Sequence, residues 1–136
     1  MSQNTKPIFP LVPEVTWATV SAANTATDGT GTVVTVFTAG ANGSRVDYLS
    51  CSALGTNVTT VMRVFINNGS ANSTASNNVL FTEQPLPSTT ATNSNLIGPQ
   101  MITPLNISLP AGFKINVVLG TAVSAGWAIA AVGGDY

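Results

Sequence analysis

Apolar and polar positions alternate along most of the chain with a period of two. Phe113, Ile115, Val117 and Leu119 are interleaved with Lys114, Asn116 and Val118, the repeat of a strand with one buried face. Met62, Val64 and Ile66 alternate with Val61, Arg63 and Phe65, and Val46 and Tyr48 oppose Arg45, Asp47 and Leu49. Val15–Val20, Thr32–Ala39, Asn78–Thr82, Met101–Ser108 and Trp127–Val132 are further strand segments. Turn formers separate them: Asp28-Gly29, Asn42-Gly43, Asn68-Gly69, Gly98-Pro99 and Pro110-Ala111-Gly112. No ten-residue window carries a helical repeat of helix-forming residues. About eight short strands with turns between them predict an all-β, single-domain β-sandwich of jelly-roll or related Greek-key type. Two regions break the rhythm and are expected to be long loops, the Asn-rich 67–78 and the Pro/Ser/Thr-rich 85–100.

Residues 1–14 follow a different pattern, and the domain is expected to begin at residue 15. Pro7, Pro10 and Pro13 recur every third residue, the period of polyproline II, with Ile8-Phe9 and Leu11-Val12 between them. This spacing predicts a stiff, extended, apolar arm that loses little entropy on docking. Pro7, Ile8, Phe9, Pro10, Leu11, Val12 and Pro13 are therefore the candidate partner-binding residues. They either lie on a neighbouring subunit or fold back on their own domain.

Composition narrows the function. Charged residues make up 7% of the 136 positions, with four Lys/Arg and five Asp/Glu, against about a quarter in an average soluble chain. Thr, Ser and Asn together supply about a third of the residues instead, and Thr suits the outer face of a pleated sheet. Lys6, Arg45, Arg63 and Lys114 are too few for ordinary phosphate-based nucleic-acid binding. They also form no basic patch that would hold the chain on an anionic membrane. A net charge of −1 supplies little repulsion between copies.

Catalytic chemistry is sparse. There is no His, and the single Cys51 has no imidazole to activate it, so it is expected to be a small core residue. Asp47 with Glu83 is an example of a tertiary pairing that could supply the two carboxylates of a glycosidase; a strand-edge or turn role explains each better. No cluster of metal-ligand type stands in the sequence, and no cofactor is implied. Asp28-Gly29-Thr30-Gly31 is expected to be a turn rather than an ion-binding loop. Five Asn-X-Ser/Thr triplets, at Asn42, Asn57, Asn68, Asn72 and Asn106, stand against about three that this composition gives by chance, and are not evidence of glycosylation. Trp17 and Trp127 could stack a sugar, but core or interface packing is the favoured reading.

The run Trp17-Ala18-Thr19, Ala23-Asn24-Thr25, Asp28-Gly29-Thr30-Gly31-Thr32 and Val36-Phe37-Thr38-Ala39-Gly40 resembles a small virion-protein family of tailed bacteriophages. Ala41–Asp47, Arg63–Gly69, Leu109-Pro110-Ala111-Gly112 and the ending Gly133-Gly134-Asp135-Tyr136 continue the resemblance, which covers most of residues 15–136. Such proteins resemble capsid decoration, or cement, proteins. The resemblance implies a homotrimer on the outer surface of the head, made in the host bacterial cytoplasm, that ties neighbouring major capsid proteins together. An anchoring role for the arm is inferred from its prolines and does not come from the resemblance. The alternative is a receptor- or glycan-binding module of a tail fibre or baseplate, using loop 67–78, loop 85–100 or the tryptophans.

Overall fold

The computed structural model describes residues 9–136. Eight strands follow in chain order: β1 Val12–Val20, β2 Val34–Thr38, β3 Ser44–Ala53, β4 Thr60–Asn67, β5 Asn78–Leu86, β6 Met101–Leu109, β7 Lys114–Leu119 and β8 Trp127–Asp135. A single 3-10 turn, Ala75–Asn77, precedes β5. The strands form two four-stranded antiparallel sheets, one in the order β1-β8-β3-β6 and the other β2-β7-β4-β5. This is the all-β, single-domain sandwich that the alternation predicts.

The pairing is nested: β1 with β8, β2 with β7, β3 with β6, and β4 with β5. A long hairpin has in effect been rolled so that β3 also meets β8 and β4 also meets β7. Between the sheets lies a core of apolar side chains that includes Phe37, Leu49, Met62, Ile115, Leu119, Trp127 and Ile129. At one side the sheets are joined by the Thr16 hydroxyl, which donates to the Val36 carbonyl at 2.6 Å.

Four boundaries or phases differ from the sequence reading. β1 begins at Val12, so residues 12–14 of the expected arm belong to the sandwich. Pro13 is accommodated because β1 is an edge strand, where a missing N–H need not break a ladder. β8 runs on through Gly133 and Gly134 to Asp135; a Cβ on Gly133 would collide with the Arg45 carbonyl. β5 extends through Pro85 to Leu86, also on an edge, which shortens the expected 85–100 loop. Leu49 faces the core together with Val46, rather than opposing it. The register slips between Val46 and Tyr48 against both neighbours, and Asn106 on β6 has a φ of 51°. A bulge of this kind reverses the facing of every later side chain.

Candidate functional site

The antiparallel register sorts the β1-β8-β3-β6 sheet into rows. Thr16, Ala131, Leu49 and Thr103 point inward in one row, and Ala18, Ile129, Cys51 and Met101 in the next. The intervening rows point outward. One is Val15, Val132, Tyr48 and Pro104; the second is Trp17, Ala130, Ser50 and Ile102; the third is Thr19, Ala128 and Ser52. None of these three rows contains a charge; the next outward row, Pro13, Gly134, Arg45 and Ser108, carries Arg45, paired with Asp47 at the bulge. Ala128, Ala130, Ser50 and Ser52 are small enough to leave a flat floor, over which the Trp17 side chain is 75% exposed. Val15 and Ile102 are exposed on either side of it. A contiguous uncharged face with an exposed indole has the composition of an interaction surface.

The described part of the arm borders this face. The Leu11 N–H donates to the Asp135 carbonyl at 2.7 Å, and Val12 and Pro13 pair with Asp135 and Gly134. Gly134 permits this approach, because a Cβ there would lie 2.6 Å from the Val12 carbonyl oxygen and 2.8 Å from Pro10 Cβ. The backbone is therefore held by its own domain, while Phe9, Leu11 and Val12 keep their side chains exposed. Phe9 and Pro10 line an open recess with Arg45, Asp47 and Tyr136. Pro7 and Ile8 lie outside the described residues. At the far end of the face, Gln100 donates to the Ser50 hydroxyl at 3.1 Å, so the 85–100 loop forms its other margin.

The second sheet is finished differently. Residues 21–33 cross its outer side: the Asn24 N–H donates to the Leu119 carbonyl at 2.8 Å, and Gly29 is packed against the side chains of Asn78 and Phe65. Asn72 fastens this cover by donating to the carbonyls of Gly31 at 2.8 Å and Gly29 at 3.3 Å. Phe65, on the outer side of β4, is consequently only 1% exposed. The loop 67–78 is closed by its own amides, with Asn67, Asn68, Asn77 and Asn78 bonded to one another.

The other candidates resolve as follows. Asp47 pairs with Arg45 at 3.1 Å on β3, whereas Glu83 pairs with Arg63 at 2.8 Å on β5; the two carboxylates stand on different sheets. Cys51 is buried, and burial pushes its thiol up to about 11, partly offset by a hydrogen bond with Thr103. Asp28 accepts from both the N–H and the hydroxyl of Thr30, closing the expected turn and lowering its own pKa. Asn57 is buried: its Oδ1 accepts from the N–H groups of Ala125 and Gly126, and its Nδ2 donates to the Gly126 carbonyl. Trp127 fills the core, and Trp17 stands on the outer face. Among the described residues no group of three or more His, Cys, Asp or Glu is gathered to hold a metal.

Glu14 is the least comfortable acid. Its Oε2 is buried beside the Asp135 carboxyl. Loss of hydration raises its pKa, and the neighbouring Asp135 carboxyl raises it further through charge and hydrogen bonding. Asp135 in turn accepts from the Ser44 hydroxyl.

No family model, curated protein or solved structure matches the chain.

Proposed function

We propose that the chain is a structural protein of a tailed bacteriophage, a capsid decoration protein that assembles as a homotrimer on the outer surface of the head and ties neighbouring major capsid proteins together. One observation carries the reading: three successive outward rows of the β1-β8-β3-β6 sheet are uncharged, and Trp17 stands 75% exposed in the middle one. Such a face is adapted to meet protein rather than to turn over a substrate. Phe9, Leu11 and Val12, exposed beside it, extend the apolar surface toward a second neighbour. Contacts that are each modest add through effective concentration once several are made on one shell. The nested strand pairing supports assigning the sandwich to the jelly-roll type. A closed trimer would also cover sheet edges that otherwise template aggregation.

The test places a charge at the centre of the face. The purified protein is expected to sediment at the mass of three chains, and Trp17→Glu at the mass of one. Phage heads lacking the protein should be decorated by the wild-type chain and left bare by the variant. A monomeric wild type, together with equal decoration by the variant, would overturn the reading. Labelled protein that collects on tails rather than heads would replace decoration with the receptor-binding alternative.

A further inference from the structure

On the covered sheet, an open recess of about 180 Å³ lies between β2, β7 and the loop 67–78. Its floor is formed by Thr35, Lys114 and Asn116, and its rim by Asn67, Ser70 and Asn72. Two groups in it lack protein partners. Asn116 is 2% exposed, and its Oδ1 accepts from the Thr35 hydroxyl at 2.7 Å, yet its Nδ2 donates to no acceptor among the described residues. A donor that faces an open recess from an otherwise buried side chain is free to meet a ligand there. Lys114 is the second. Arg45 and Arg63 each have a carboxylate partner, whereas Lys114 is the one cation among the described residues that has none.

The rest of the wall shows how this arrangement is held. Asn67 has its donor satisfied by Asn78 and its acceptor by the Gly69 N–H, so it fixes the rim. Asn72 is held by the Gly29 and Gly31 carbonyls. The rim is thus anchored to the cover over Phe65, and the floor is rigid sheet. That is the form of a preorganised site for a small polar ligand.

We infer that the recess binds a hexuronic acid or a related acidic monosaccharide. The Lys114 ammonium faces the carboxylate, and the Asn116 amide and Ser70 hydroxyl take ring oxygens. A single cation matches a single carboxylate charge, whereas a phosphate monoester carries about −1.5 to −2 at neutral pH. The wall holds no aromatic ring, so a neutral sugar has no stacking surface and the ammonium selects the class of ligand. The volume, similar to that of about six liquid waters, suits one pyranose ring. The site lies on the sheet opposite Trp17, and the inference does not rest on the assembly reading.

The test is a titration of isotope-labelled protein, followed through its backbone amide resonances, with sodium glucuronate, glucose and sodium acetate at constant ionic strength. Glucuronate is expected to move the amides of residues 69–72, 114 and 116 with saturation in the millimolar range. Glucose and acetate should each bind about tenfold more weakly, a difference of about 1.4 kcal/mol. Lys114→Gln should weaken glucuronate by a similar factor while leaving the ligand-free spectrum elsewhere unchanged. Acetate binding as tightly as glucuronate would reduce the site to a simple anion contact and overturn the inference. So would equal binding of glucose, no shift at these residues, or no effect of Lys114→Gln. The comparison of the three ligands on the wild-type chain decides the matter even if the variant fails to fold.

Discussion

Both sheets have an outer face, and the two are finished in opposite ways. The β2-β7-β4-β5 sheet carries Arg63, Glu83 and Lys114 outward and places residues 21–33 over Phe65, while Val79, Leu80 and Phe81 on its β5 edge stay exposed. The β1-β8-β3-β6 sheet confines its outward charge to the Arg45–Asp47 pair at one end and, among the described residues, has no loop across the three rows beyond it, where Val15, Trp17 and Ile102 are exposed. The first sheet is covered over β4 by its own sequence. The second leaves these apolar rows open among the described residues. Hydrophobicity alone does not separate the two; the presence or absence of a covering segment does.

The sharpest way to test this contrast is to cut the same kind of side chain from each face. Phe65→Ala is expected to destabilise the fold by about 3 kcal/mol, because a fully packed aromatic leaves a cavity between sheet and cover. Urea unfolding would show it as a lower midpoint at unchanged slope. A loss below about 1 kcal/mol would mean that residues 21–33 are not a true cover.

Loosening the cover without touching the aromatic is the next step down. Asn72→Ala removes both donations to Gly29 and Gly31 and should cost about 1 kcal/mol, the usual net worth of such bonds. Amide exchange should accelerate in residues 21–33 and remain slow in the β1-β8-β3-β6 sheet. Acceleration spread evenly over both sheets would argue against a separately fastened cover.

Much of this fold can be read from alternation and turn chemistry, because a half-buried strand writes its two faces directly into the sequence. What the alternation cannot carry is phase across a bulge. Leu49 has the same spacing from Val46 in any strand, and only the slip against β6 and β8 turns it inward. Gly133-Gly134 reads as a strand end, but the close approaches of Arg45 and Val12 make glycine the residue that lets the ladder continue. Trp17 lies in the phase opposite to Thr16, Ala18 and Val20, and the burial of Val20 fixes which of the two phases faces the core. Asn116 reads as an ordinary polar position of β7. Its meaning depends on the 67–78 loop returning over the strand, which no local pattern encodes.

A smaller effect is expected where the arm joins the uncovered sheet. Glu14 has its pKa raised from the ordinary 4.5 by burial first and by Asp135 second. The folded chain therefore holds this proton to higher pH than the unfolded chain does. Its contribution is most favourable below the unfolded value and is lost as pH rises through the folded one. Glu14→Gln keeps a neutral donor beside Asp135 at every pH. The variant should match the wild type near pH 4 and exceed it by at most about 1 kcal/mol near pH 7. Thermal unfolding across that range checks the sign, and a variant less stable at neutral pH would reverse the assignment.

The smallest effect on folding is expected at the largest exposed side chain. Trp17 covers no core residue and makes no hydrogen bond through its ring among the described residues, so Trp17→Ala should change unfolding by no more than about 0.5 kcal/mol. Association should respond instead. A central aromatic of an interface typically contributes about 2 kcal/mol or more on truncation, which corresponds to about a 30-fold weaker contact. Sedimentation over a range of concentrations would separate the two quantities. If Trp17→Ala lowered stability as Phe65→Ala does while leaving association unchanged, the bare face would be a structural surface of the monomer. Unchanged unfolding with weakened association is the signature of a side chain placed for a neighbour.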